Sequence, residues 1–99
     1  MHTAHVPGIE KLYQAILELK TEEECASFFE DICTIKELQD ITQRLEVALM
    51  LDEGKNYQEI SELTGARTAT ISRVKKCLVY GSGGYRIAIT RATEKGEEQ

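Results

Sequence analysis

Apolar side chains recur with helical spacing along most of this chain, and this periodicity constrains its fold more than any other feature. Two segments each carry five of them at positions i, i+3, i+4, i+7 and i+8, namely Ile9, Leu12, Tyr13, Ile16 and Leu17, and then Cys25, Phe28, Phe29, Ile32 and Cys33. Residues at these positions share one face of an α-helix. The only proline, Pro7, stands early enough to open the first helix. The pattern predicts an all-α fold.

Capping signatures mark where the next helices begin. The sequence TEEE at 21–24, and Thr34 followed by Glu37, both have the Thr-x-x-Glu form of a capping box. The segment 35–53 contains no Gly or Pro and forms either one helix or two with a break near Thr42. Because its apolar residues surround much of the helix, we expect burial on several sides, for which a partner subunit is a natural source.

A helix-turn-helix is indicated by the sequence NYQEISELTGARTATISRVKKCLV at 56–79. Asn56, with Glu59 three residues later, is expected to cap a helix that stops at Gly65. A second helix is expected to start near Thr68. A plain helical hairpin, which also has a glycine turn, is the alternative interpretation.

The inner faces of these two helices have the side chains that the motif requires. Ser61 is small where the second helix crosses the first, and Gly65 tolerates a left-handed backbone conformation. The second helix presents an apolar stripe and the first helix supplies the opposite wall; these residues are Ile71, Val74 and Leu78, and Ile60 and Leu63.

The C-terminal segment permits two interpretations. YGSGG at 80–84 predicts a loop. YRIAITRAT at 85–93 has the alternation and β-branched content of a strand, but no second strand is available to pair with it, so we predict a short C-terminal helix. Residues 94–99 are expected to form a frayed tail. A length of 99 residues suits a single domain over 1–99.

Composition excludes several classes of protein. No apolar run approaches the ~20 residues of a membrane span, and the N-terminus lacks the regions of a secretory signal. Three cysteines without C-x-x-C spacing argue against a disulfide framework or zinc site, so reduced thiols of a cytoplasmic protein are the simpler interpretation. His2 and His5 are weak metal candidates. Because no catalytic pair and no phosphate-binding glycine loop is visible, we predict no enzyme activity, no metal and no cofactor.

The charges are distributed unevenly. The net charge is −5, yet residues 67–93 contain no acid and six cations, namely Arg67, Arg73, Lys75, Lys76, Arg86 and Arg91. This asymmetry predicts a local electropositive surface on an acidic chain. The alternatives are a chance gap in the acids, or a basic face that pairs with an acidic one.

The outward side chains of the second helix favour DNA as the partner of this surface. Short side chains let a helix approach base edges in the major groove, and Arg can donate two hydrogen bonds to guanine. Lys side chains and hydroxyl groups suit phosphates. We therefore expect Arg67, Thr68, Ala69, Thr70 and Ser72 to face base edges, and Gln58, Arg73, Lys75 and Lys76 to lie near phosphates.

The sequence GKNYQEISELTGARTATISRVKKCL resembles the helix-turn-helix of the tryptophan repressor family, and ITQRLEVALMLDEG resembles the helix that precedes it. The resemblance covers about residues 35–80. It implies an all-helical regulator of transcription that binds double-stranded DNA as an intertwined homodimer. On this basis the helices at 8–53 would form the core and the dimer interface.

The resemblance also implies a place for an effector. In that family a corepressor lies between an arginine on the helix before the motif and an arginine on the recognition helix, positions that Arg44 and Arg73 match. The family has a glycine directly after the second arginine and a serine three residues further on, where this chain has Val74 and Cys77. These departures predict that tryptophan is not the ligand.

We therefore predict a homodimeric, repressor-like DNA-binding protein of the cytoplasm. Two alternatives stay open. A helix-turn-helix module that binds proteins of the transcription machinery would show little salt-dependent affinity for DNA. A regulator that senses a small molecule near Arg44 and Arg73 would show a ligand-dependent shift of its melting temperature.

Overall fold

The computed structural model describes residues 5–98, and the side chains of residues 5–95. These residues form helices only, which confirms the predicted all-α class. The helices are α1 (Ile9–Leu17), α2 (Glu22–Ile32), α3 (Ile35–Asp52), α4 (Tyr57–Thr64), α5 (Thr68–Tyr80) and α6 (Gly84–Glu98). Helix α3 is continuous, so the break considered near Thr42 does not occur.

Side-chain hydrogen bonds fix the starts of α2 and α3. The Thr34 hydroxyl accepts the Glu37 N–H at 3.1 Å, and the Glu37 carboxylate accepts the Thr34 N–H at 2.8 Å. This reciprocal pair is the capping box that the sequence predicts. At α2, Thr21 accepts the Glu24 N–H at 3.0 Å, but the Glu24 carboxylate accepts the N–H of Lys20 instead of that of Thr21.

The chain divides into two compact units between Leu38 and Gln39. In the first unit, neither α1 nor α2 contains a fully buried residue. The rings of Phe28 and Phe29 make an edge-to-face contact with centroids 5.4 Å apart. Leu17, at the end of the α1 stripe, is 80% exposed. The apolar stripes of this unit are therefore only partly covered.

The second unit has a closed apolar core to which four helices and the turn between α4 and α5 contribute. Its buried residues are Val47 and Ala48 of α3, Ile60 of α4, Ala66 of the turn, Ile71 and Val74 of α5, and Ile89 of α6. Burying one Val or Ile side chain contributes about 1.5–3 kcal/mol to folding. This core fixes the relative positions of α3, α4, α5 and α6.

One expected core residue is exposed. Leu63, predicted to form the wall opposite α5, has 62% of its surface accessible, so that prediction is wrong. Helix α4 has eight residues, and its covered face is centred on Ile60, with Tyr57 and Thr64 partly buried on either side. Leu63 lies beside this face, and Val47 and Ala48 of α3 belong to the core instead.

Helix α6 confirms the helical interpretation of residues 85–93 and extends it. It begins at Gly84 and continues to Glu98, so residues 94–98 are helical where a frayed tail was expected, and Gln99 lies outside the described residues. Ile89 packs in the core, and Arg86 forms an ion pair with Asp52 at the end of α3. These two contacts hold α6 to the helices that carry the candidate site.

Candidate nucleic-acid interface

Helices α4 and α5 form the predicted helix-turn-helix, and its local geometry follows from three residues. Asn56 caps α4 by accepting the Glu59 N–H at 2.9 Å, and the Glu59 carboxylate accepts the Asn56 N–H at 3.3 Å. Gly65 ends the helix at φ 74, in the left-handed region that glycine adopts without a steric penalty. The chain then enters α5 three residues later.

Two polar side chains that the sequence analysis did not single out fix the turn. The Thr64 hydroxyl donates to the Ile60 carbonyl at 2.7 Å and accepts the Ala66 N–H at 3.1 Å. The Gln43 amide of α3 donates to the Thr64 carbonyl at 3.2 Å. A Thr directly before a turn glycine is a local signal for side-chain hydrogen bonds to the nearby backbone, and Thr64 stands at that position. Gln43 gave no comparable signal, because its partner lies 21 residues away.

The two faces of α5 differ sharply. Ile71 and Val74 are fully buried on the inner face, and Leu78 is partly buried there. Most of the predicted DNA-contacting residues are exposed; these are Gln58 on α4, Arg67 before α5, and Thr68, Ala69, Ser72, Arg73, Lys75 and Lys76 on α5. Thr70 is partly buried between the two faces. The fold thus collects these side chains on and beside the outer face of one helix, which we call the basic face.

The basic face is not neutralised by the acidic residues described in the structure. Within that part of the chain, no ion pair joins Arg67, Arg73 or Lys76 to a carboxylate. Arg86, in contrast, forms an ion pair with Asp52, so the alternative that the cations pair with acidic residues holds for Arg86. The positive potential expected from the charge distribution is therefore retained along α5.

The start of α5 adds to this potential. Arg67 occupies the N-cap position and makes no side-chain capping bond. Backbone N–H groups at the start of a helix lack helical partners and carry the positive end of its dipole. The N–H groups at this end of α5 can therefore donate hydrogen bonds to an anionic oxygen.

Two of the predicted phosphate-contacting residues already have partners. The Lys75 ammonium lies 5.7 Å from the centroid of the Tyr57 ring on α4. The Gln58 amide donates to the Glu62 carboxylate at 3.3 Å, so it would have to exchange this partner to reach a phosphate. Tyr57 was not among the residues chosen from the sequence.

The proposed effector residues differ in burial. Val74 is fully buried in the core, whereas Arg44 and Cys77 are exposed. Tyr85 of α6 packs against the same core. Burial raises the pKa of Tyr85, the charge of Arg44 opposes the rise, and that of an ionised Cys77 adds to it. An aromatic ring from α6 thus lies within electrostatic range of two residues expected to hold an effector.

Other kinds of site find no support in the described part of the chain. No group of three or more His, Cys, Asp or Glu side chains is arranged there to hold a metal ion. None of the described helices combines the length and the apolar character that crossing a membrane requires.

Comparison with known proteins identifies the family. The sequence model of the family described as Trp repressor protein matches residues 8–93, which is most of the chain. The chain belongs to the Trp repressor family. The motif and the fold are thus those of a helix-turn-helix DNA-binding regulator, and the family and fold are regulatory, not enzymatic.

Relatives of this family match along nearly the whole chain. The uncharacterised protein YerC of Bacillus subtilis (strain 168) is 53% identical over 90 residues, which cover 91% of this chain and 86% of YerC. The crystal structure of a proposed Trp repressor from Staphylococcus aureus superposes with a TM-score of 0.88 at 42% identity, covering 94% of this chain and 95% of the other. A TrpR-like protein from Eubacterium eligens ATCC 27750 superposes with a TM-score of 0.85 at 49% identity, covering 90% and 92%.

Proposed function

We propose that this protein regulates transcription by binding specific double-stranded DNA sites, with α5 as the recognition helix in the major groove. The observation that carries the proposal is the basic face of α5. It is exposed and unneutralised, while the opposite face of the same helix is buried in a closed core. A helix held this firmly can present short and cationic side chains to bases without first becoming ordered.

The roles within the basic face follow from side-chain chemistry. Arg67, Thr68, Ala69, Thr70 and Ser72 lie at and after the start of α5, the part of a recognition helix that reaches base edges. Arg73, Lys75 and Lys76 carry charge further along the helix, where phosphates flank the groove. Gln58 would join them at the start of α4.

The DNA-bound form is proposed to be a homodimer. Two recognition helices reach successive major grooves when they stand about 34 Å apart, so a two-fold dimer reads an inverted repeat. The exposed apolar residues of the first unit support this assembly, because apolar side chains left in water favour burial against a partner. We assign these residues, Tyr13, Ile16, Leu17, Ile32 and Ile35, to the interface with a second copy.

Tryptophan is not expected to control this protein. Val74 places a β-branched side chain where the family has a glycine, and this side chain is fully buried. Forcing a planar ring into an occupied position of a packed core costs about 1–3 kcal/mol, which weakens binding by a factor of about five to more than a hundred. Calorimetry with millimolar L-tryptophan should show no heat of binding. A micromolar dissociation constant, or DNA binding only in its presence, would contradict this expectation.

Selection of bound duplexes from a random DNA pool tests the main proposal. The selected sites should contain an inverted repeat, and affinity should fall linearly with salt concentration on a log–log plot. Lys76→Ala should weaken binding to all duplexes similarly and reduce the salt slope by about 1. Arg67→Ala should instead relax the choice of sequence, with a loss of about 1–3 kcal/mol on the selected site.

Two outcomes separate the alternatives. DNA affinity that is indifferent to salt would favour a protein-interaction module. A melting temperature or DNA affinity that responds to a small molecule, and loses the response in Arg44→Ala, would favour an effector-controlled regulator.

A further inference from the structure

The contact between Tyr57 and Lys75 joins the two helices of the motif on the side of the basic face. Tyr57 is the first residue of α4, and its ring is partly buried against the apolar core. Lys75 lies on α5 with its ammonium 5.7 Å from the ring centroid. At this distance the negative face of an aromatic ring attracts a cation.

The backbone beneath Tyr57 is fixed as well as its ring. Asn56 and Glu59 form the capping box around the first turn of α4, with hydrogen bonds of 2.9 and 3.3 Å. Because the backbone of Tyr57 and the inner side of its ring are both held, the ring offers a surface of fixed position. Lys75 therefore rests on a defined surface, whereas Lys76, the next residue, has no aromatic ring within cation–π distance in the described part of the chain.

We propose that Tyr57 is a positioning residue that holds the Lys75 ammonium in place for a DNA phosphate. The proposal rests on the DNA-binding function proposed above. A lysine side chain is a flexible stem, and fixing it on binding lowers affinity. An ammonium has three N–H donors, and those that point away from the ring remain available to phosphate oxygens. A stem that is already held before DNA binds loses less conformational entropy when the phosphate contact forms.

Such a contact strengthens binding without selecting a sequence, because phosphates carry no base information. The suitable probe is therefore a mixed-sequence duplex long enough for two half-sites one helical turn apart. Affinity for it is measured with wild type and with Tyr57→Leu, which keeps an apolar side chain against the core but removes the ring. Tyr57→Phe keeps the ring and is the conservative variant.

A double-mutant cycle with Lys75→Ala isolates the positioning role. Tyr57→Leu should weaken binding about two- to fivefold in the wild-type background. It should have no further effect when Lys75 is already alanine. Tyr57→Phe, which keeps the ring, should bind the duplex with wild-type affinity. In the matched control, Tyr57→Leu should retain its two- to fivefold effect in a Lys76→Ala background.

A measurement on the DNA-free protein supplies an independent readout. The ε-methylene protons of Lys75 should show a ring-current shift in the NMR spectrum that is kept in Tyr57→Phe and lost in Tyr57→Leu. Equal losses from Tyr57→Leu with and without Lys75 would overturn the proposal and leave DNA binding standing. An unshifted Lys75 ε-methylene in wild type would also overturn it. Failure of wild type to bind both this duplex and any duplex selected from a random pool would remove this proposal together with the proposed function.

Discussion

The two units of this chain use the same helical periodicity and differ in what covers it. In the second unit, Ile60 and Ile71 are fully buried by side chains of the unit itself. In the first unit, α1 and α2 have stripes of equal regularity but no fully buried residue. Periodicity therefore identifies the face of a helix that needs an apolar partner. It does not say whether that partner is the same chain or a second copy.

The largest expected effect tests the closed core. Ile71→Ala should lower the free energy of unfolding by about 2–5 kcal/mol, because it leaves a cavity in a fully buried site. Leu63→Ala is the matched control on α4, and its exposed side chain should contribute less than about 1 kcal/mol. Urea denaturation at one protein concentration measures both. Similar losses for the two variants would contradict the burial difference described above.

The next effect tests the partly covered apolar stripe of α1. Leu17→Asp should raise the dissociation constant of the dimer about tenfold to a hundredfold, as expected if a second copy buries this leucine. Leu63→Asp, also at an exposed leucine but on α4, is the control and should leave the assembly unchanged. Light scattering across a range of concentrations measures the mass. A wild-type protein that is monomeric at micromolar concentration would remove the proposed dimer, and with it the role given to the first unit.

A smaller effect is expected at the turn between α4 and α5. Gly65 has φ 74, and an added Cβ would meet no atom within 4 Å, so the penalty for Gly65→Ala comes from the backbone conformation. This penalty is about 1–2 kcal/mol. Gly84→Ala is the matched control, because Gly84 lies in α6 without a positive φ and with equally open space. Thermal melting should show a loss for the first variant and none for the second.

Local signals explain how much of this fold the sequence could predict. The start at Asn56 and the stop at Gly65 depend on a capping side chain and a left-handed backbone, and both requirements are met within a few residues. The outer residues of α5 were predicted as a group for the same reason, because a helical repeat fixes which side chains share a face. Their DNA contacts stay a prediction.

The remaining features depend on contacts between distant residues. Leu63 was placed in the core because spacing locates a face only to within a residue or so, and in a short helix the neighbouring elements decide which side chain turns inward. Arg86 and Asp52 are 34 residues apart, so neither could be recognised as the partner of the other. Tyr57 and Tyr85 were missed because tertiary packing places their rings beside Lys75 and near Arg44.

The smallest expected effect concerns the local hydrogen bonds of the first unit. Two hydrogen bonds with Thr34 hold the pKa of Glu37 below its usual value. The larger effect comes from the Thr34 backbone N–H and the smaller one from the Thr34 side chain. The folded protein therefore binds this proton less readily than the unfolded chain. The resulting stability is present above the ordinary pKa of a glutamate and is lost as the pH falls through the lowered pKa of the folded state.

Glu37→Gln tests this small effect, because the amide oxygen can still accept the Thr34 N–H but does not titrate. Wild type should be the more stable of the two near neutral pH, since an ionised acceptor makes the stronger hydrogen bond. The difference should shrink as Glu37 becomes protonated in acid, which thermal melting from about pH 7 to pH 3 would follow. A difference that stays constant or grows in acid would show that the Thr34 hydrogen bonds do not stabilise the charged form. The first unit would then lack this contribution and depend still more on the partner proposed for its apolar stripe.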